Sequence, residues 1–347
     1  MSIPMRSASV LLSLVVSGSL VLCQQATPPA QPASHRITLD VVVTPKSGTP
    51  VSGLEQQDFT ILDNKAAQPI VTFNAINAPQ APIEVVLLID AVNLDYAHIA
   101  YEREQIDRFL RADGGHLPYP TSLAIFTDTG TQVQQGSTRD GNELSAALDQ
   151  NPIGLRDIRS NAGSAGASDR YGLSLHALQN LAAKESTRPG RKIILWISPG
   201  WPYLSNPRQE LDGKYEQRLF AEVVSLSTQF RRAGITLYSV DPLGAGQNVG
   251  SEFYYESFLK GVAKPNQIQL GNLALQVLAV QSGGLALTSG NDIAAHLQQC
   301  IADLESYYEI SFDAPSTDRP SEYQQLEIKV DKPGLTARTR TGYYTEP

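Results

Sequence analysis

The chain is short of cysteine, short of basic charge and short of long apolar runs, and each shortage closes off a class of function. Its only two cysteines are Cys23 and Cys300. Cys23 ends the one long apolar run, "SVLLSLVVSGSLVLC", which follows a segment carrying Arg6. That run is too short and too lightly flanked for a stable membrane span and has the dimensions of a secretory signal peptide over residues 1–23. Cleavage near "VLC-QQ" leaves Val21 and Cys23 at the small-residue positions. Lipid attachment at Cys23 would require a small residue before it, and Leu22 is not one. Cys300 then remains alone, so no internal disulfide can form. It lies in the helical pattern "DIAAHLQQCIADLESYY" and reads as a small core residue. With no second long apolar run, the mature chain is expected to be secreted or periplasmic, with no transmembrane segment.

A net charge of −8 lacks the basic face of a nucleic-acid binder and gives no attraction to an anionic membrane. Hydrophobic residues at 41% and charged residues at 18% describe a globular protein with a real core. Catalytic signatures are equally scarce. "GLSLH", Gly172 to His176, is the nearest approach to a serine nucleophile elbow. It lacks the second glycine and falls inside a helical pattern rather than after a strand. His35, His98, His116, His176 and His296 are scattered without metal-ligand spacing. No glycine loop leads to a lysine for phosphate binding, and no dinucleotide fingerprint follows a strand. "NAGSAGASDRYG", with Gly163, Ser164, Gly166 and Gly172, reads as a loop entering a helix.

What remains is a chain in three zones behind a proline-rich linker over residues 24–34. Residues 35–78 alternate short apolar runs with turns, and Ile37, Leu39, Val41 and Val43 keep the period of two expected of a strand. Residues 83–308 change rhythm. The buried-type strands "IEVVLLID", "TSLAIFT", "RKIILWIS" and "GITLYSVD" alternate with amphipathic helices. That pattern predicts a doubly wound, mostly parallel α/β sheet covered on both faces. Residues 309–347 return to strands. The closing "LTARTRTGYY", read as one strand with a wet face, is expected to pack with residues 35–78 into a small β unit.

In a doubly wound fold, ligands bind at the carboxyl ends of the strands near the point where strand order reverses. Asp90, Thr127, Ser198 and Asp241 all close predicted strands. An apolar strand ending in Asp90 at the head of such a domain resembles the von Willebrand factor A domain. "VSGLEQQDFTILDNKAAQPIVTF", "GRKIILWISPG", "GITLYSVDP", "SGGLALTSGNDIAAHLQQCIADLESYYEISF" and "KPGLTARTRTGYY" are similar, in that order, to blocks of the exported VWFA-related group known especially from acidobacteria. The resemblance covers nearly the whole mature chain. It implies a metal site of Asp-x-Ser-x-Ser form, completed by a threonine and a later aspartate.

Carried over residue by residue, Asp90 matches the first ligand, while Val92 and Leu94 stand at the two serine positions. Ser198 and Pro199 replace the later aspartate, and Ser164 or Ser168 is the nearest hydroxyl to the threonine. One carboxylate and a stray hydroxyl make a poor site for a hard cation. No cofactor is therefore expected, magnesium and manganese included. A shifted site, if present, would use Asp90, Asn93 and Asp95. Asp90 is expected instead to accept backbone N–H groups of its own loop or of the helix beginning near His98. These residues describe a non-catalytic, exported protein-interaction module with a degenerate metal-ion site and an unidentified protein partner. Its binding edge would gather Asp90, Asn93, Asp95, Ser164, Ser168 and Ser198. An exported hydrolase using the same edge, with its nucleophile among Ser164, Ser168 and Ser198 and His98 as base, is the alternative, and a structural envelope component is another.

Overall fold

The computed structural model describes residues 36–46, 48–77, 82–94, 96–134, 136–150, 163–201, 210–243, 254–315 and 319–346. The expected signal segment and proline-rich linker lie outside the described residues, and so does Asp95. The strands run in chain order as β1 (Arg36–Pro45), β2 (Phe59–Asp63), β3 (Ala66–Gln68), β4 (Thr72–Asn77), β5 (Ile83–Asp90), β6 (His116–Thr127), β7 (Gly130–Val133) and β8 (Thr138–Asp140). They continue with β9 (Arg191–Ile197), β10 (Ile235–Val240), β11 (Ala286–Leu287), β12 (Ser306–Asp313), β13 (Tyr323–Val330), β14 (Leu335–Arg338) and β15 (Gly342–Tyr344). The α-helices are α1 (Tyr96–Leu110), α2 (Gly141–Gln150), α3 (Gly163–Glu185), α4 (Gly213–Ala233), α5 (Leu275–Gln281) and α6 (Ile293–Ala302).

The central sheet has the order β11-β10-β9-β5-β6-β7, with β8 also pairing to β6. From β11 to β6 the strands are parallel, and β7 and β8 run antiparallel to β6. Every residue of β9 and β10 is buried, as strands covered on both faces must be. Alternate residues serve two cores. Val86, Leu88, Ile194, Trp196 and Leu237 pack with residues of α3, α4 and α5. Leu87, Ile89, Ile193, Leu195 and Val240 pack with α1, α2 and α6. This is the expected doubly wound arrangement.

α4 shows why its segment is a helix. Asp212 caps its start by accepting from the backbone N–H groups of Lys214 and Tyr215 at 3.0 and 2.9 Å. Leu219, Val223, Leu226, Phe230 and Ala233 recur at helical spacing and are its buried residues. Gly234 ends it in the left-handed conformation at φ 63°, where a side chain would be strained.

The two chain ends build a β-sandwich. One sheet has the order β14-β1-β12-β4 and the other β15-β13-β2-β3. Leu39, Val41, Tyr308, Ile310 and Phe312 from the first meet Phe59, Ile61, Leu326, Ile328 and Tyr343 from the second. The expected period of two in β1 holds, and its odd member is informative. Val42, 1% exposed, points away from the sandwich and joins the α1-side core of the central sheet. Tyr307 on β12 does the same. The β1–β12 sheet is therefore covered on both faces.

Three sequence expectations need correction. "LTARTRTGYY" is not one strand. β14 pairs with β1 and β15 pairs with β13, in different sheets. The break is held by Thr341, whose N–H donates to the carbonyl of Gln281 at 3.2 Å, and by Gly283, where an added Cβ would meet the backbone N of Arg340 at 3.0 Å. The helical pattern reaching Tyr308 stops at Ala302, because Tyr307 and Tyr308 are needed on opposite faces of β12. The loop expected at "NAGSAGASDRYG" is helical from Gly163 onward. α2, β7 and β8 were not anticipated by the sequence pattern.

Candidate functional site

β5 lies between β6 on one side and β9 on the other, so the chain crosses over β5 in passing from β6 to β9. The strand order reverses there, and Asp90 ends β5 while Ser198 follows β9. Of the four residues expected to close strands, Asp90 and Ser198 are the two that flank this reversal. Asp90 is completely buried. Its Oδ1 accepts from the backbone N–H groups of Val92 and Asn93 at 2.9 and 2.8 Å, which folds the loop back onto the strand end. Its Oδ2 accepts from the Asn93 side-chain amide at 2.8 Å, the Ser198 hydroxyl at 2.7 Å and the Trp196 indole N–H at 3.3 Å. Among the described residues five donors and no acceptor face it, an environment for the ionised carboxylate. Burial raises its pKa above the usual aspartate value, and the hydrogen bonds from Asn93, Ser198 and Val92 oppose that rise.

The network continues through two fully buried hydroxyls. Asn93 donates from its amide nitrogen to Ser174 Oγ at 2.9 Å, and Ser174 donates to the carbonyl of Arg170 at 2.8 Å within α3. Ser198 Oγ accepts from the N–H of Gly200 at 3.1 Å. Gly200 has φ +88°, a conformation in which a side chain would be strained, and an added Cβ would come 3.0 Å from the side-chain nitrogen of Gln276. Phe126, Trp196, Trp201 and Tyr171 form an edge-to-face aromatic chain beneath this corner, with neighbouring centroids 6.0, 6.2 and 5.6 Å apart.

The predicted site residues therefore divide. Asp90, Asn93 and Ser198 come together, and among the described residues Asp90 accepts from its own loop, the first of the two expected alternatives. Ser168 is exposed on α3. Asp95 and the Ser164 side chain lie outside the described residues. Thr127 turns its hydroxyl to the carbonyl of Gly130 at 2.8 Å, and Asp241 accepts from the N–H of Leu243 at 2.9 Å. Two participants were missed. Ser174 is the serine of "GLSLH", inspected only as a nucleophile. Glu102 is 1% exposed on α1 and neither of its oxygens has a hydrogen-bond partner among the described residues. A signal existed, since Glu102 falls between Ile99 and Ile106 on the apolar stripe of α1. Burial, reinforced by the charge of Asp90, pushes its pKa well above the usual glutamate value.

The architecture is von Willebrand factor A-like. It carries the parallel sheet, the two helical layers and the strand-end aspartate at the switch point that the resemblance implied. The metal of that family does not fit the residues present. Val92 and Leu94, both fully buried, occupy the serine positions and belong to separate hydrophobic cores. Both oxygens of Asp90 already take hydrogen bonds, and Asn93 turns its nitrogen toward them. A hard divalent cation asks for about six oxygens. Among the described residues no group of three or more His, Cys, Asp or Glu side chains could hold a metal.

No family model matches the chain, and neither does any curated protein. Among solved structures it is similar to the human COPII-coat protein Sec24c, with a TM-score of 0.34 and 10% identity over 79% of this chain and 46% of that one. It is similar to the SpRpn10 VWA domain, with a TM-score of 0.29 and 14% identity over 64% of this chain and 96% of that one. A third is the pilus adhesin SpaC from Lactobacillus rhamnosus GG, with a TM-score of 0.40 and 8% identity over 85% of this chain and 49% of that one. The chain spans about half the length of Sec24c and SpaC. Likenesses this distant decide no function.

Proposed function

We propose that the chain is a non-catalytic, exported protein-interaction module whose binding surface is the carboxyl edge of the central sheet, built on a degenerate metal position. One observation carries this reading. At the switch point Asp90, Ser174 and Ser198 are all fully buried and hydrogen-bonded: Ser198 to Asp90, and Ser174 to Asn93 and the Arg170 carbonyl. Ser198 donates to a carboxylate and Ser174 to a backbone carbonyl, so neither hydroxyl donates to an imidazole. His176 of "GLSLH" is exposed on the opposite side of α3 from Ser174. A hydrolase would need an accessible nucleophile beside its base. The net charge of −8 points to a protein rather than a nucleic acid as partner. Among the described residues no helix is long and apolar enough to cross a membrane.

The test is capture from envelope extract with the full mature chain, followed by cross-linking and mass spectrometry. Cross-links from one partner concentrated on the loops after β5, β6, β9 and β10 are the expected result. Cross-links confined to the sandwich, or turnover of ester or amide substrates abolished by Ser198→Ala, would overturn it. N-terminal sequencing of native material is expected to find a start after Cys23, and a retained Met1 would remove the exported part of the reading.

A further inference from the structure

Beside the first turn of α4 lies a hollow of about 590 Å3, within the range of about 300–1,000 Å3 common to ligand pockets. Two connections build it. Glu210 and Leu211 end the one that follows β9, Glu216 stands at the start of α4, and lining residues between 257 and 272 belong to the one from β10 to α5. Both connections leave the sheet at its carboxyl edge. The wall is anchored from behind. An added Cβ at Gly261 would meet the Tyr323 ring of β13 at 2.0 Å, and Tyr344 of β15 donates its hydroxyl to the Val262 carbonyl at 3.0 Å. The 261–262 wall is therefore packed on the sandwich, and a preformed wall lowers the ordering cost of binding.

The polar groups around the hollow are left over from folding. Glu210, Glu216 and Lys260 make no hydrogen bond or ion pair among the described residues. Gln269 Oε1 is buried and accepts no hydrogen bond among them either, the Asn272 N–H going to the Gln269 backbone carbonyl at 3.1 Å. A buried acceptor without a donor is destabilising, so a guest that donates to it is favoured. Two carboxylates and this amide oxygen ask for donors and positive charge. Between them Leu211, Phe258 and Val262 supply apolar wall. Arginine and lysine side chains combine a charged head with an apolar stem, the pairing that such a lining accommodates. A bare cation would gain nothing from the apolar wall, and a neutral guest would leave both carboxylates unpaired.

We infer that this hollow takes an arginine or lysine side chain of the partner, its stem along Leu211 and Val262 and its head against Glu210 and Glu216. The inference rests on the reading of the carboxyl edge as the binding surface and adds the chemistry of what binds there. Arginine suits the site better, because its planar guanidinium meets carboxylates through two parallel hydrogen bonds. Lys260, exposed at the rim, remains as a donor for carbonyl oxygens of the guest's backbone. The Asn272 amide nitrogen is also only weakly engaged, 3.5 Å from the Phe258 carbonyl. The net charge of −8 favours the approach of a basic partner.

The probe is N-acetyl-arginine amide, a capped guest that carries the side chain at issue and no charged terminus. It is titrated into the isotope-labelled full chain while backbone amide signals are followed by nuclear magnetic resonance. Signals of Glu216, Gly261 and Asn272 should shift and saturate with a Kd of about 1–10 mM, the scale of one anchored side chain. N-acetyl-citrulline amide, of the same length but neutral, should bind at least about tenfold more weakly, since it forfeits the charge-assisted bonds. Glu210→Gln and Glu216→Gln combined should weaken the arginine guest by about tenfold with far-ultraviolet circular dichroism unchanged. Signals that stay still, equal binding of the citrulline guest, or full affinity in the double variant overturn the inference. No partner enters this titration. Cross-links confined to the sandwich together with a saturable hollow would remove the edge reading and leave the cation site. Cross-links on the edge loops together with a silent hollow would remove the site and leave the edge reading.

Discussion

Asp90→Ala removes one buried carboxylate and leaves five donors pointing at an empty corner. The five are not equal. Asn93 keeps Ser174 as a partner for its side-chain amide, and the Ser198 hydroxyl can turn. The Val92 N–H and the Trp196 indole N–H, held in fully buried residues, lose the acceptor that the structure provides. A buried donor left unsatisfied costs about 1–3 kcal/mol. Relief of the carboxylate's own desolvation offsets part of this, which leaves a net loss of about 3 kcal/mol. For a domain of this size that corresponds to a fall in Tm of about 5–10 °C. The assay is a thermal melt by circular dichroism at neutral pH, with Asp90→Asn alongside. Asparagine keeps an oxygen for the two backbone N–H groups but turns an NH2 toward Trp196 and Asn93. It should cost less, about 1–2 kcal/mol. A melting temperature for Asp90→Ala within a degree of the parent, or a rise with Asp90→Asn, would refute the view that the five donors compensate the buried charge.

Glu102→Gln should stabilise the chain at neutral pH and leave it nearly unchanged in acid. The folded-state pKa of Glu102 is raised, so the stability linked to its neutral form is fully present below the unfolded value and is lost as pH rises through the folded one. Denaturant melts across that range should show the parent weakening and the variant flat, and parallel curves would contradict it. Millimolar magnesium or manganese should not raise Tm, whereas a conventional site at a hundredfold excess over Kd would add about 2.7 kcal/mol. A rise that chelator reverses and Asp90→Ala abolishes would establish a metal site and point to Asn93 and Asp95 as further ligands. Deleting residues 335–347 removes β14, β15 and the buried Tyr343 and Tyr344, together with the ion pairs of Glu346 to Arg231 and Arg232 on α4. Several kcal/mol should be lost, the scale of a few large side chains returned to water. A truncated chain that melts like the parent would count against that packing.

The sequence by itself determined the central sheet. Runs such as "VVLLI" and "KIILWI" admit little but strands covered on both faces, and the helical stretches between them supply the covers. It also determined that Asp90 and Ser198 would each close a strand, and that Val92 and Leu94 deprive a cation of oxygens, since these follow from residue type and position. What Asp90 does with its charge was decided only in three dimensions. Its donors Trp196 and Ser198 are more than a hundred residues away in sequence and are brought beside it by strand pairing across β5 and β9. The same holds for Ser174, which a local pattern suggested only as a failed nucleophile. Glu102 was half legible, as a carboxylate on an apolar stripe. That its oxygens find no hydrogen-bond partner among the described residues depends on where the arginines of α1 turn, and α2 and α6 decide that. The sandwich shows the same division. Period two marked the inward residues of β1, but Val42 became a core residue only because the α/β domain covers the sheet's other face. Local pattern specifies which face of an element is apolar, whereas the partner for a polar group is set by distant chain segments that only tertiary packing brings into contact.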